Sequence, residues 1–395
     1  VRIVFTLGGT DSGRSGLGSY VSSVLPELRA VCGREGAELL ALGSEEEIAA
    51  YAAVLDGIPT LAAPRWTSSP GPSALWYLAA AGRAAKRGEG SVILYSAANR
   101  RIGAVNPLPS VAVVHDLGQL HVTDKYDALR MAYFRFGLLS VLRRATRLVA
   151  ISEATRTDLV HALGLAREDV DVVPNGVNAQ RFAPRDSEDP AVRQIRLELG
   201  IRRPYLLYPA RLEHPAKNHL RLIAAFAASR TCQTHELVLV GADWGAQAAI
   251  ADAIARQGLA ERVKLAGFVN EASIPPLVAG ADGVVMVGLC EGFGLPALEA
   301  LAAGRPVCAS STGALPEVVG DLGVLCDPFS IESIAQGLDR IAYDADRREL
   351  CARRGPERAA VRTWRSTAEG LFDSCRRAVL ARADEANFGT EEAAE

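Results

Sequence analysis

Glu291 and Glu299 stand eight residues apart on either side of a glycine turn, in the stretch VVMVGLCEGFGLPALEALAAGRP of residues 284–306. Gly292 and Gly294 let the backbone bend tightly and bring its N–H groups close to a ligand. An apolar segment of helical character starts near Leu295. Pro296 fits its first turn, where the missing N–H has no intrahelical role. The free N–H groups and positive dipole end of such a helix suit a phosphate. A carboxylate beside a phosphate site is unfavourable unless it binds something else, and sugar hydroxyls are the obvious candidates. The run Val284 to Val287 reads as the buried strand that delivers this loop. An ordinary βα turn with two surface glutamates fits the spacing equally well.

The same stretch resembles the Glu-x7-Glu signature of retaining glycosyltransferases of family 4, which have the GT-B fold: two doubly wound, Rossmann-like α/β domains facing across a cleft. The resemblance implies that Glu291 contacts a donor sugar and that Glu299 binds the ribose of a sugar nucleotide. It also implies that the N–H groups near Phe293, Gly294 and Leu295 meet the diphosphate. One departure is visible. Val287, Gly288, Leu289 and Cys290 stand where the family usually carries Pro-Ser-x-x, on the sugar side of the site.

Other residues gain a role beside this stretch. Arg211 and Lys217 lie in a loop after the strand PYLLYPA of 204–210. Two such cations facing a helix terminus can hold a diphosphate, Arg with a bidentate fork and Lys as a point charge. A pair of surface cations is the plain alternative. The family uses an Arg and a Lys at matching positions on the pyrophosphate. His115 follows the apolar run VAVV in VAVVHDL of 111–117, where function sits in open parallel sheets. The resemblance gives it a contact with the donor sugar. Gly267, Phe268 and Val269 either line the base pocket, as the family implies, or simply close a strand. Gly8 and Gly9 open the loop GGTDSGRSGLGSY, which resembles the family's first loop, near the acceptor and the donor phosphates. A plain connection with glycines set by turn geometry is the alternative. This loop is a poor dinucleotide fingerprint. Gly16-x-Gly18 comes late, and GAELLALG ends without a clear ribose-binding acid.

The elements that position these residues alternate between strand and helix, which predicts two doubly wound α/β domains. Val1 to Leu7 reads as the first strand and Tyr20 to Leu28 as the first helix. The strand of 147–150 leads to a helix that Ser152 or Thr155 can cap. The passage DVVPNGVNAQRF of 171–182 is similar to the end of the family's N-terminal domain, and RDSEDPAVRQ after it, polar and without an apolar run, reads as the linker. The domains are expected over 1–184, on the acceptor side, and 200–363, on the nucleotide-sugar side. A last helix, about 364–385, is expected to cross back to the first domain.

Composition narrows the class. Of 395 residues, 49% are hydrophobic and 23% charged, which is ordinary globular composition. A net charge of −3 gives no global pull toward nucleic acid. Seven scattered cysteines, with no Cys-x-x-Cys, indicate neither a disulfide framework nor a zinc site. The chain opens on an apolar strand without a signal peptide, and no run of about 20 apolar residues occurs. A cytoplasmic protein is expected. Between Arg65 and Arg147 twelve Lys or Arg face four Asp or Glu. That stretch is either a solvated face or a surface for an anionic acceptor or for the inner face of an anionic membrane.

The expected activity is transfer of a hexose from a nucleoside diphosphate sugar, GDP-mannose or a UDP-sugar, to a hydroxyl of a glycan, glycolipid or natural product. No cofactor beyond that co-substrate is expected. No Asp-x-Asp stands in a plausible place, so no metal is expected either. A sugar-nucleotide epimerase or an inactive binding module on the same fold are the rival readings, with a nicotinamide oxidoreductase behind them.

Overall fold

The computed structural model describes every residue except 14, 123–130 and 392–395, and side chains as far as residue 383. The chain divides into two compact units. The first holds Val1–Leu117, the described part of 128–176, and the C-terminal helix from Trp364. The second holds Val177–Thr363 with the described part of 118–127.

The first unit is built on seven strands: β1 (Arg2–Thr6), β2 (Glu38–Gly43), β3 (Thr60–Ala62), β4 (Ser91–Tyr95), β5 (Ser110–Val114), β6 (Arg147–Ala150) and β7 (Val170–Val172). They pair in parallel in the order β3-β2-β1-β4-β5-β6-β7. Every residue of β4 and β5 is buried, which explains why these runs are continuously apolar rather than alternating. The helix Gly16–Arg34 follows β1. It buries Tyr20, Val21, Val24, Leu25, Leu28, Val31 and Cys32, so the apolar stripe runs past the expected end at Leu28. The helix Trp364–Glu391 packs along it and against β4, β5 and β6, with Ala368, Leu371, Phe372, Cys375 and Ala378 buried.

The second unit repeats the plan. Its strands are β8 (Tyr205–Pro209), β9 (Glu236–Val240), β10 (Val263–Gly267), β11 (Gly283–Met286), β12 (Val307–Ser310) and β13 (Val324–Cys326). The parallel order is β10-β9-β8-β11-β12-β13. In both sheets the order turns back on itself once, between β1 and β4 and between β8 and β11, as in the Rossmann fold.

The stretch expected to be a linker is structured. Pro190–Glu198 forms a helix within the second unit, with Pro190 at its start and the Asp189 carboxylate accepting from the Ala191 N–H at 2.8 Å. Val192 and Ile195 are its only buried residues, and it packs on the helix Ile274–Ala279. Two apolar positions were too few to show as a periodic run, and a capping Asp before Pro was the signal to read. Ser152 caps the helix Glu153–Leu163 through the Thr155 N–H at 3.0 Å.

The glycines that failed as a dinucleotide fingerprint have unequal packing roles. A Cβ on Gly18 would lie 2.4 Å from the Gly13 Cα, whereas nothing lies within 4 Å of one on Gly16. Gly18→Ala should therefore cost about 1–3 kcal/mol as an overpacked contact, and Gly16→Ala should cost nothing measurable. Denaturant unfolding of the two variants checks this, and equal stabilities would contradict the packing role.

Candidate functional site

The loops that follow β8 and β11 are stitched together. Asn218 sits in the left-handed region, with φ of 57°, and its side-chain amide donates to the carbonyls of Val287 at 3.0 Å and Pro328 at 2.7 Å. The Leu289 N–H donates to the Ala216 carbonyl at 2.9 Å. Across this seam the Lys217 ammonium donates to both carboxylate oxygens of Glu291, at 2.8 and 2.9 Å. Both side chains are mostly buried, with 18% and 12% exposed.

Gly288, one of the four residues that depart from the family's pattern, lies against Glu291. A Cβ there would lie 2.6 Å from Glu291 Oε1, so the glycine makes room for the carboxylate. The far wall comes from the turn after β12. Ser310 Oγ donates to the Gly288 carbonyl at 2.5 Å, Thr312 Oγ1 to Leu289 at 2.8 Å and the Ala314 N–H to Glu291 at 2.9 Å. These bonds satisfy carbonyls that the sheet leaves unpaired beyond β11.

Arg211 leaves β8 on the same side. Its Nη2 donates to Glu213 at 3.1 Å, and its guanidinium lies 4.2 Å from the centre of the Trp244 ring. Burial first, then the Glu291 and Glu213 carboxylates, push the Tyr208 hydroxyl well above its ordinary acidity constant. Arg211 and Lys217 both follow β8, Glu291 follows the neighbouring β11, and the buried Tyr208 hydroxyl donates to the Lys217 carbonyl at 2.5 Å. Arg211, Lys217 and Glu291 are thus gathered at one strand-order reversal. Gly294, with φ of 90°, precedes the helix Leu295–Ala302. The Phe293 ring is buried, so only its backbone remains for a ligand.

Glu299 lies within that helix, in the field of Arg181 and Glu271, which pair with each other at 2.8 Å. Burial pushes its carboxyl up from 4.5 to about 7, with Arg181 opposing and Glu271 adding to the shift. Gly267, Phe268 and Val269 close β10, two strands away from β8. Gly267 has φ of 67° and its carbonyl accepts from the Gly241 N–H, while the Phe268 ring is 74% exposed.

In the first unit, His115 is buried just beyond β5. Its Nε2 lies 2.7 Å from the Ser96 carbonyl, and its ring meets Tyr20 edge-on. A carbonyl can only accept, so Nε2 carries the proton and Nδ1 is the basic atom. Burial lowers the ring's value to about 4, so His115 is neutral at physiological pH. Gly8 donates its N–H to the Tyr77 hydroxyl at 3.1 Å, and a Cβ on it would strike that ring at 2.4 Å. Gly9 has φ of 82° beneath Arg100 and Arg101.

Sequence reasoning missed Trp244, Glu213 and Arg181. Glu213 bonds directly to Arg211, Trp244 lies against its guanidinium, and Arg181 stands within the passage 171–182 but bears on Glu299 far along the chain, which local pattern does not reveal. Lys125 and Arg130 of the basic stretch lie outside the described residues. Among the described residues no group of three His, Cys, Asp or Glu could hold a metal ion. The cations, the helix start and the acids can together hold a diphosphate and hydroxyl-rich groups beside it.

The chain matches the family descriptions "Glycosyltransferase Family 4" over residues 16–181 and "Glycosyl transferases group 1" over 203–344. It is 26% identical over 259 residues to O-antigen chain mannosyltransferase B of Escherichia coli, covering 65% of this chain and 67% of that one. It is 30% identical over 232 residues to an MMP alpha-(1->4)-mannosyltransferase of Mycolicibacterium hassiacum, covering 58% and 53%. The matched part spans about half to two thirds of the length of such relatives. Among solved structures, Anabaena Alr3699/HepE in complex with UDP-glucose superposes with a TM-score of 0.72 at 21% identity, covering 95% of this chain and 99% of that one.

The acidity of Glu299 makes stability depend on pH. Its folded value lies above the unfolded one, so the folded chain holds an extra proton between about 4.5 and about 7, and stability falls as pH rises through that window. Glu299→Gln should raise the melting temperature near pH 8 and leave it nearly unchanged near pH 5. An equal effect at both pH values would contradict the burial argument.

Proposed function

The chain belongs to glycosyltransferase family 4 and carries the GT-B pair of Rossmann-like domains; from that premise we propose that it moves a hexose from a nucleoside diphosphate sugar to a hydroxyl acceptor, with retention and without a metal. The observation that carries this reading is the gathering of Arg211, Lys217 and Glu291 at the β8–β11 reversal beside the start of the helix Leu295–Ala302.

The barrier in such a transfer lies in the charge of the leaving diphosphate and in an oxocarbenium-like anomeric carbon. Arg211, Lys217 and the N–H groups near Phe293, Gly294 and Leu295 receive the diphosphate as its charge develops. Two cations supply there what a metal would otherwise provide. Glu291 holds hydroxyls of the sugar, and Glu299 holds the ribose. Gly267, Phe268 and Val269 border the base, and neutral His115 accepts from a sugar hydroxyl through Nδ1. The bond from the anomeric carbon to the phosphate oxygen breaks. The acceptor oxygen attacks from the same face, and its proton passes to the leaving phosphate. Gly8 and Gly9 belong to the loop nearest the acceptor.

The donor is GDP-mannose or a UDP-sugar: two named relatives are mannosyltransferases, and the superposed Anabaena protein was solved in complex with UDP-glucose. The acceptor is a glycan, glycolipid or natural product in the cytoplasm. Peripheral contact with an anionic membrane is supported by exposed Phe136 and Tyr133 beside exposed Arg135 and Arg144. Sedimentation with anionic vesicles, lost in Phe136→Asp, tests that contact.

Lys217→Ala should lower turnover about a hundredfold or more, as loss of a transition-state donor does, while EDTA leaves turnover intact. An unchanged rate in the variant would refute the diphosphate role, and abolition by EDTA would refute metal independence. Turnover of the sugar nucleotide into an epimer with no acceptor added would replace transfer by epimerisation. Ribose hydroxyls donate to ionised Glu299, so nucleoside diphosphate affinity should rise with pH through about 7. Ionisation of the terminal phosphate adds its own slope, so the slope should be shallower in Glu299→Gln than in the unaltered protein, and equal slopes would remove Glu299 from the ribose.

A further inference from the structure

The reversal between β1 and β4 in the first sheet is bordered by two loops, one after each strand. The β1 loop is strained. Gly9, Asp11, Ser12 and Gly13 have φ of 82°, 54°, 49° and 84°, and two of these four are not glycine. At Asp11 and Ser12, which carry a Cβ, such backbone persists only where the surroundings impose it. Here Tyr51 and Arg100 impose it. The Tyr51 hydroxyl donates to Thr10 Oγ1 at 2.8 Å and accepts from the Gly13 N–H at 3.0 Å. Arg100, on the β4 loop, donates from Nη1 to the Asp11 carboxylate at 2.6 Å and to the Gly9 carbonyl at 3.2 Å.

Both of those bonds leave through Nη1. Among the described residues no hydrogen bond uses the Nε–Nη2 edge of Arg100, and 31% of the side chain is exposed. Its neighbour is spent differently. Arg101 donates from Nε to Ser73, from Nη1 to the Arg100 carbonyl and from Nη2 to the Pro70 carbonyl. So one arginine of the pair is structural, and the other is a fork fixed by one tine with the other tines open. His115 stands just beyond β5, the strand paired with β4, and its Nε2 donates to the Ser96 carbonyl at the start of the loop that carries Arg100. Ligands of open α/β sheets bind in the crevice at such a reversal. A fixed guanidinium with a free edge suits a phosphate monoester better than a neutral hydroxyl.

Resting on the transfer reading, we propose that the acceptor carries a phosphate group, and that the Nε–Nη2 edge of Arg100, oriented by Asp11 and the Gly9 carbonyl, receives it beside His115. Arg100 is then a specificity residue, and Asp11 is a positioning residue that holds the fork.

The test is calorimetric titration of the full chain with sn-glycerol 3-phosphate, inorganic phosphate and glycerol, using the unaltered protein, Arg100→Gln, Arg100→Lys and Asp11→Asn. Glycerol 3-phosphate should bind at least about tenfold more tightly than glycerol, the yield of one charged hydrogen-bond pair. Arg100→Gln should abolish that preference. Arg100→Lys keeps the charge and supports the loop, so it stays folded, and it should lose most of the preference with the planar fork. Asp11→Asn should weaken phosphate binding without erasing it. Vesicles of phosphatidylcholine with and without phosphatidylinositol 4-phosphate, which adds a phosphate monoester, separate the sources. Arg100-dependent binding to the phosphoinositide vesicles assigns the phosphate to a lipid, and glycerol 3-phosphate binding without vesicle binding assigns it to a free acceptor. Equal affinity for glycerol and glycerol 3-phosphate, or a preference that survives both Arg100 variants, overturns the proposal. UDP and GDP titrated alongside report on the nucleotide reading separately, because Arg100 belongs to the other unit.

Discussion

A parallel sheet whose strand order reverses leaves the ends of two neighbouring strands uncovered, because the helices that follow them pack on opposite faces. Both units of this chain obey that constraint, and the candidate chemistry collects where it acts. Backbone groups beyond the last ladder bond must find partners there. Asn218, Ser310 and Thr312 supply them in the second unit, and Tyr77, Tyr51 and Arg100 supply them in the first. The polar side chains near the reversals therefore do two things. They complete the fold, and they fix the direction in which charged groups point.

The Lys217–Glu291 pair shows how these tasks combine. Two mostly buried charges lose hydration, and their mutual attraction offsets that loss only with good geometry. Here both carboxylate oxygens receive the ammonium, and Gly288 keeps the space clear. Tyr208 lies beneath, tied to the Lys217 carbonyl, so the loop cannot drift without breaking a buried bond. Charge, packing and backbone satisfaction hold the same few residues.

The strands and their delivery of the site were legible because buried parallel strands are continuously apolar and because glycine turns punctuate them. Arg211, Lys217, Glu291 and His115 could each be placed at a strand end before any coordinates. Three features were not legible. The helix Pro190–Glu198 hides behind only two buried residues, Val192 and Ile195, in a polar stretch. The pair Arg100–Arg101 looked like part of a charged face, yet both side chains bond to backbone carbonyls, those of Gly9 for one and of Arg100 and Pro70 for the other. The acidity of Glu299 depends on Arg181 and Glu271, each distant in sequence. Local pattern records what a residue needs from its own segment, and these three depend on what distant segments bring.

Trp244 carries a consequence of another kind. The chain has four tryptophans, and Trp66, Trp76 and Trp364 all belong to the first unit. Trp244 is thus the sole indole of the second, with the guanidinium of Arg211 over its ring. Indole emission responds to a charge lying on its face, so the second unit contains its own optical gauge of where that guanidinium rests, readable without any label.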